Sequence, residues 1–227
     1  MIRLVARDQK SEKEGWRTPD PRLPSARSPK GERTLGAILD AAVEIVTSKG
    51  FSALSQEAVA KQVGISQSTL RHYFPTKDEL VAACFGRSLA QMGEAISAIL
   101  DDPHADPMAQ LEESIALHLG FIMQGADGYF FESLAYWARH PEQRALRDEW
   151  YRWLHRSYAA IIQRARPDCS PAACSARSYQ LLTLTLGAWI TLSASRPPLL
   201  RKQAAGLKQT LLDAVRAIVL EGGDATP

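Results

Sequence analysis

Residues 55–77 of the 227-residue chain read SQEAVAKQVGISQSTLRHYFPTK, a stretch with the pattern of two short helices joined by a tight turn. Apolar residues recur at one-turn spacing in the first half, and Ser55 is a suitable N-cap. Gly64 follows, at the position where a left-handed residue ends a helix. Ser66 can cap the second helix, which Pro75 must terminate. The stretch is therefore predicted to form a helix-turn-helix.

The second predicted helix turns Leu70 and Phe74 toward a core and leaves a polar face outward. Such a helix fits the major groove of DNA, where its side chains can bond to base edges and phosphates. The predicted DNA-contacting residues are Ser55, Gln67, Ser68, Thr69, Arg71, His72, Tyr73 and Lys77. Helix pairs with a glycine turn also occur in other all-α proteins, so the spacing alone leaves a merely solvated polar face as an equal alternative.

Residues on both sides extend the pattern, with Gly50 and Phe51 before it and the run KDEL at 77–80 after it. Together with the runs GIS at 64–66 and YFP at 73–75, they resemble the N-terminal signature of the TetR family. The resemblance covers roughly residues 31–87. It implies a dimeric transcriptional regulator, here expected to be a repressor whose affinity for a palindromic DNA operator is lowered by a small molecule.

Two positions depart from the family pattern. Arg71 stands where the family often has a tyrosine that contacts a phosphate, and Leu54 and Ser55 replace the usual pair of threonines. The operator sequence therefore does not follow from the resemblance.

The composition is that of an ordinary globular protein, with 45% hydrophobic and 23% charged residues. No run approaches the roughly 20 apolar residues of a membrane span, and the start MIRLVARDQK is charged where a signal peptide would be apolar. We expect a cytoplasmic protein that does not enter the membrane.

Charge is distributed unevenly along the chain. Residues 1–30 carry 8 Lys/Arg against 4 Asp/Glu, residues 31–77 carry 5 against 4, and residues 78–227 carry 14 against 17. The basic end is the end that holds the motif, as binding to a polyanion requires. We predict a disordered basic arm at residues 1–30, a DNA-binding domain at 31–77 and a helical ligand-binding and dimerisation domain at 78–227.

Catalytic and metal-binding patterns are missing from the sequence. The chain lacks the motifs GxSxG, GxxxxGK[ST] and HExxH, so we expect no catalytic residues and no enzymatic activity, with an all-α enzyme as a weaker alternative. Cys84, Cys169 and Cys174 include no CxxC pair, so neither a metal site nor a cofactor is predicted. Redox sensing by Cys169 and Cys174 is the alternative to plain structural thiols.

The remaining chain predicts helices only, and hence an all-α fold. The run YQLLTLTLGAWITL at 179–192 is apolar almost all round, so it must be covered on two sides. The resemblance implies that the last two helices pair with those of a second copy as a four-helix bundle, and burial within the monomer is the alternative. The predicted interface residues are Leu207, Leu211, Val215 and Ile218.

Aromatic residues are concentrated between positions 121 and 189. A site between bundle helices is a usual location for a small ligand, and the resemblance implies one here. The predicted ligand-binding residues are Phe121, Tyr136, Trp137, Trp153 and Trp189. Such walls predict a hydrophobic or aromatic effector, and a cationic one if Trp137 and Tyr136 face the cavity. A helical ligand-binding protein without specific DNA contacts is the alternative function.

Overall fold

A computed structural model of the protein describes residues 28–123, 127–141, 144–192 and 198–221. Over these ranges the chain forms helices and turns without a strand, which confirms the predicted all-α fold. The helices are α1 (Pro29–Lys49), α2 (Gln56–Val63), α3 (Gln67–Tyr73), α4 (Lys77–Leu100), α5 (Pro107–Met123), α6 (Asp127–Arg139), α7 (Arg144–Ala165), α8 (Pro171–Thr191) and α9 (Pro198–Leu220). A short 3₁₀ turn, Phe51–Ala53, links α1 to α2.

Helix α1 begins within the stretch that the sequence assigned to the basic arm. Ser28 accepts a hydrogen bond from the Gly31 amide, and Pro29 follows as the first helical residue. A serine cap followed by proline is a strong helix start, so α1 takes in the last residues of the predicted arm. The rest of the predicted arm, residues 1–27, lies outside the described residues.

The helix-turn-helix forms as its caps predict. The Ser55 hydroxyl accepts from the Ala58 amide at 3.0 Å, and the Ser66 hydroxyl accepts from the Thr69 amide at 3.0 Å. Gly64 ends α2 with φ 75° and ψ 31°, a left-handed conformation that glycine adopts without steric cost. Backbone geometry in the turn therefore follows directly from residue type.

Helices α1 to α3 and the first turns of α4 share one hydrophobic core, and together they are called the head. Leu70 and Phe74 are fully buried there, as predicted, among residues of α1 and α2 such as Ile38 and Val59. The side chain of Gln56 donates to the Phe74 carbonyl at 2.6 Å, which ties the start of α2 to the end of α3. Helix α3 is thus held in place by packing and by a hydrogen bond.

Helix α4 belongs to two cores. Thr76 and Glu79 form a reciprocal capping box at its start. The first turns contribute Leu80 and Phe85 to the head core, whereas Ile96 and later residues join the core of the C-terminal body. Movement of the end of α4 that lies in the C-terminal body would therefore also move the head.

The body is built from α5, α7, α8 and α9 around the far half of α4. Its fully buried residues include Leu111, Leu119, Tyr158 and Leu181. Among the described helices, none is both long enough and apolar enough to cross a membrane.

Candidate DNA-binding surface and ligand cavity

The outer face of α3 is polar and open to solvent. Of the predicted DNA-contacting residues, Ser55 and Tyr73 are half-buried, and the exposed ones are Gln67, Ser68, Thr69, Arg71, His72 and Lys77. Lys77 lies at the start of α4, directly beyond the end of α3. The structure therefore brings these side chains to one end of the head.

Several of these polar groups already have intramolecular partners. The Ser66 hydroxyl lies 2.8 Å from both the Ser68 and the Thr69 hydroxyls. The Tyr73 hydroxyl donates to the Gly31 carbonyl at 3.4 Å, which connects α3 to the start of α1. Arg71 forms no ion pair within the described chain, so its guanidinium is available to an outside acceptor.

A cavity of about 360 Å³ lies between the head and the body. Its walls come from α1 and from α4 to α8, and the head helix α1 contributes Val43 and Thr47. The remaining wall residues are Ser88, Leu89, Gln91, Met92, His118, Phe121, Tyr129, Phe130, Ser133, Trp137, Trp150, Tyr151, Leu154, Tyr158, Leu182, Thr185, Leu186 and Trp189. None of them is Asp, Glu, Lys or Arg.

Three of the five predicted ligand residues line this cavity, namely Phe121, Trp137 and Trp189. Tyr136 instead stacks on His140, with ring centroids 4.1 Å apart, and belongs to the head core. Trp153 packs on Trp150 in the body core. Both corrections have one reason: helical periodicity shows that a residue is inward, but not whether it meets another side chain or a void.

The polar side of the cavity was not predicted from the sequence. Among the residues that the structure describes, four buried side-chain atoms have no hydrogen-bond partner of good geometry: Ser88 Oγ, His118 Nδ1, Tyr129 Oη and Trp137 Nε1. The Ser88 hydroxyl lies close enough to Tyr129 to act on the pKa of its phenol. All four residues line the cavity. Buried polar groups are nearly always paired in folded proteins, so this concentration marks the cavity as unusual. No sequence signal could have found this set of atoms, because whether a polar atom has a hydrogen-bond partner depends on how distant helices pack.

Burial lowers the pKa of His118 to about 4, and the nearby Ser114 backbone opposes this shift to a smaller extent. Between about pH 4 and pH 6.5 the native protein therefore keeps this imidazole neutral. In the unfolded chain the same imidazole has a pKa near 6.5 and is mostly protonated in that range. The stability that this neutral imidazole contributes is fully present above about pH 6.5 and is lost as the pH falls toward 4.

We expect His118 to lower the free energy of unfolding by about 2 kcal/mol between pH 7 and pH 5. Urea unfolding at both pH values, for the wild type and for His118→Leu, measures this contribution. The wild type should lose more stability than the variant. An equal loss in both proteins would contradict the neutral buried state.

Helix α6 connects the cavity to the head. Tyr129, Ser133 and Trp137 lie on one face of α6, at four-residue intervals, and all line the cavity. On another part of the same helix, Glu132 accepts a hydrogen bond from the Phe51 amide at 2.7 Å. Tyr129 also packs on the Phe51 ring, with centroids 5.6 Å apart. A shift of α6 would therefore reach the segment between α1 and α2.

The C-terminal helices expose an apolar face. On α8, Tyr179 and Ile190 are 60% and 54% exposed, and an open groove separates this face from Leu211 and Ile218 of α9. Of the predicted interface residues, Leu207, Leu211 and Ile218 are half-buried against the body core. Val215 is fully buried in its own chain, so it can contact no partner. The stripe on α9 mainly faces the monomer core, and α8 supplies the largest exposed apolar side chains.

Cysteine thiols are buried and free. Arg177 donates to Cys169 Sγ at 2.9 Å, and burial raises the pKa of Cys174 to about 11. A buried thiol with a raised pKa is a poor nucleophile, which favours a structural role. Within the described part of the chain, no group of three His, Cys, Asp or Glu side chains is placed to hold a metal ion.

Residues 38–84, which contain the helix-turn-helix, match the family described as "Bacterial regulatory proteins, tetR family". The match covers the second half of α1, the helix-turn-helix and the first turns of α4. The transcriptional regulator BetI of Paraburkholderia phytofirmans is 26% identical over 184 residues, which are 79% of this chain and 92% of BetI. BetI is by its name a transcriptional regulator, the class of protein that the helix-turn-helix of this chain predicts.

Solved structures share the fold of this protein. A transcriptional regulator of Rhodococcus sp. Rha1 superimposes with a TM-score of 0.64 at 20% identity, covering 85% of this chain and 98% of that one. AibR, in complex with isovaleryl coenzyme A and operator DNA, gives 0.57 at 17% identity, covering 78% and 97%. Both span the head and the body together.

Proposed function

We propose that the protein is a homodimeric, cytoplasmic repressor that leaves its operator when a small hydrophobic or aromatic molecule occupies the cavity. The observation that carries the proposal is the position of the cavity, whose wall includes α1 of the head as well as five further helices. A bound molecule touches both parts, so it can favour one relative arrangement over another. AibR, which shares the fold, is described in complex with both isovaleryl coenzyme A and operator DNA, so a protein of this fold can bind a small ligand and DNA.

The DNA-binding part of the proposal rests on α3. Its exposed residues face outward from a head whose core and caps are complete without them. Arg71 and Gln67 are the proposed base readers, and Lys77 and Ser55 the proposed phosphate contacts. In a two-fold symmetric dimer, the two α3 helices would enter successive major grooves, about 34 to 36 Å apart, and so require a palindromic site.

The proposal assigns residues 31–77 to DNA binding and residues 78–227 to ligand binding and dimerisation. Two separate hydrophobic cores support this division. The head core also takes Leu80 and Phe85 from α4 and Trp137 from α6. Because of these shared residues, a movement of the body would act directly on the packing of the head.

Selection of bound fragments from random DNA tests the proposed function. We expect a palindromic consensus whose half-sites lie about one helical turn apart or slightly more. Recovery of unrelated fragments at moderate salt would instead support the alternative, a helical ligand-binding protein without specific DNA contacts.

Dimerisation is proposed through α8 and α9, because an exposed apolar face of this kind commonly marks an interface. Replacing Ile190 with glutamate would place a charge in the apolar contact and should yield monomers in sedimentation at micromolar concentration. Ile190→Val keeps the face apolar and should stay dimeric. Because Ile190 is more than half exposed in the single chain, the fold should survive both changes. A wild-type monomer would contradict the proposal.

A further inference from the structure

We propose that the cavity recognises an uncharged molecule with an apolar body and a hydrogen-bond acceptor, such as a carbonyl oxygen, which binds to the polar tips of Tyr129 and Trp137. The inference rests on the proposed function, because it takes the cavity to be the effector site. It specifies the chemical class of that effector.

The first support is the set of unpaired polar atoms. Trp137 is 5% exposed, and its indole Nε1 can only donate a hydrogen bond, yet it has no acceptor. Tyr129 lies eight residues earlier on the same helix, and its hydroxyl has no partner of good geometry. The Ser88 hydroxyl on α4 lies near it and likewise lacks such a partner. Burying polar groups without hydrogen-bond partners is unfavourable, so a hydrogen-bond acceptor within the cavity would be stabilised.

The second support is the absence of charge around the cavity. The described residues of its wall include no Asp, Glu, Lys or Arg, and the one imidazole among them, His118, is neutral at pH 7 because burial lowers its pKa to about 4. An anion would lose its hydration without gaining a cationic partner, and a cation would lack a carboxylate. A neutral ligand avoids both costs.

The third support is the packing of the aromatic rings of the cavity wall against other rings. Phe130 and Trp189 stack on each other, with centroids 4.4 Å apart and an angle of 9°. Trp137 and Tyr129 each pack against Phe85, at 5.2 and 5.7 Å. Faces committed to other rings are less available for a cation, whereas the polar atoms of Tyr129 and Trp137 remain unpaired.

Four matched naphthalenes test the inference by calorimetry on the protein alone. They are 2-acetylnaphthalene, which carries a neutral acceptor, 2-ethylnaphthalene, which carries none, the anion 2-naphthoate, and the cation 2-naphthyltrimethylammonium. We expect the acetyl compound to bind at least about tenfold more tightly than each of the others, the size of effect that one well-made hydrogen bond can give.

Variants identify the groups responsible. Tyr129→Phe and Ser88→Ala remove only hydroxyls, and Trp137→Phe removes the indole donor. In Tyr129→Phe and Trp137→Phe the advantage of the acetyl over the ethyl compound should shrink severalfold, while the affinity for the ethyl compound stays constant. Val43→Ala, elsewhere on the wall, is the control and should leave the ratio unchanged.

The outcomes separate the two proposals. Equal affinity for the acetyl and ethyl compounds, tightest binding by either ion, or no binding by any of the four would overturn the ligand class. If the acetyl compound binds as expected but leaves the affinity for the selected operator unchanged, the ligand class stands and the proposed regulation fails. If the cation alone releases DNA, the regulation stands and the ligand class fails.

Discussion

Replacing Arg71 with alanine is expected to weaken binding to the selected operator by about 30-fold to about 20,000-fold. A bidentate arginine contact to guanine is worth about 1 to 3 kcal/mol, and a dimer loses two of them, with each 1.4 kcal/mol equal to a factor of ten. Arg71 is exposed on α3, so the fold should not change. Fluorescence anisotropy with a labelled duplex measures the loss.

Two comparisons make this result specific. Arg152→Ala removes an exposed arginine from α7 of the body and should leave DNA affinity unchanged. Lys77→Ala should weaken binding to all duplexes alike and reduce the salt dependence, because a phosphate contact carries no sequence information. An Arg71→Ala protein that binds the selected and a scrambled duplex as the wild type does would remove α3 from the interface.

Replacing Glu132 with alanine is expected to leave ligand binding nearly intact but to abolish most of its effect on DNA. Glu132 on α6 accepts the Phe51 amide at 2.7 Å, while Tyr129, Ser133 and Trp137 of the same helix line the cavity. Coupling between two sites is typically 1 to 3 kcal/mol, or about 5-fold to 150-fold in affinity. The measured quantity is the ratio of operator affinities with and without saturating ligand.

A matched pair of variants distinguishes coupling from a general loss of structure. Glu132→Gln keeps an oxygen that can accept from the Phe51 amide and should restore much of the ratio. Glu113→Ala removes an exposed carboxylate from α5 and should not alter it. If Glu132→Ala keeps the full wild-type ratio, α6 does not transmit the ligand signal through this contact.

The Gly50 backbone explains why the α6 contact forms where it does. Gly50 has φ 79°, a conformation that other residues adopt only with strain. An added Cβ there would lie 3.2 Å from Glu132 Oε1. The glycine therefore both ends α1 and leaves room for the carboxylate that binds the next amide.

Local signals predicted the head well. Gly64 and the caps Ser55 and Ser66 act over three or four residues, so their structural effect can be read directly from the sequence. The prolines before residue 30 indicated an arm up to that residue, although Ser28 and Pro29 are themselves a helix start.

Contacts between distant helices could not be predicted in the same way. Tyr136, Trp153 and Val215 were correctly taken as inward-facing or apolar, but their partners depend on how α6, α7 and α9 pack. The unpaired atoms of Ser88 and His118 depend on the same packing. Periodicity gives the buried face of a helix, whereas a cavity is defined by what several helices leave unfilled.

The central claim is that occupancy of the cavity controls DNA affinity. The most direct measurement is the dissociation constant of the dimer for its selected palindrome, with and without a compound that calorimetry shows to saturate the cavity. We expect saturation of the cavity to raise this dissociation constant at least about fivefold, the lower end of typical coupling between two sites. An unchanged constant with the cavity fully occupied would contradict it.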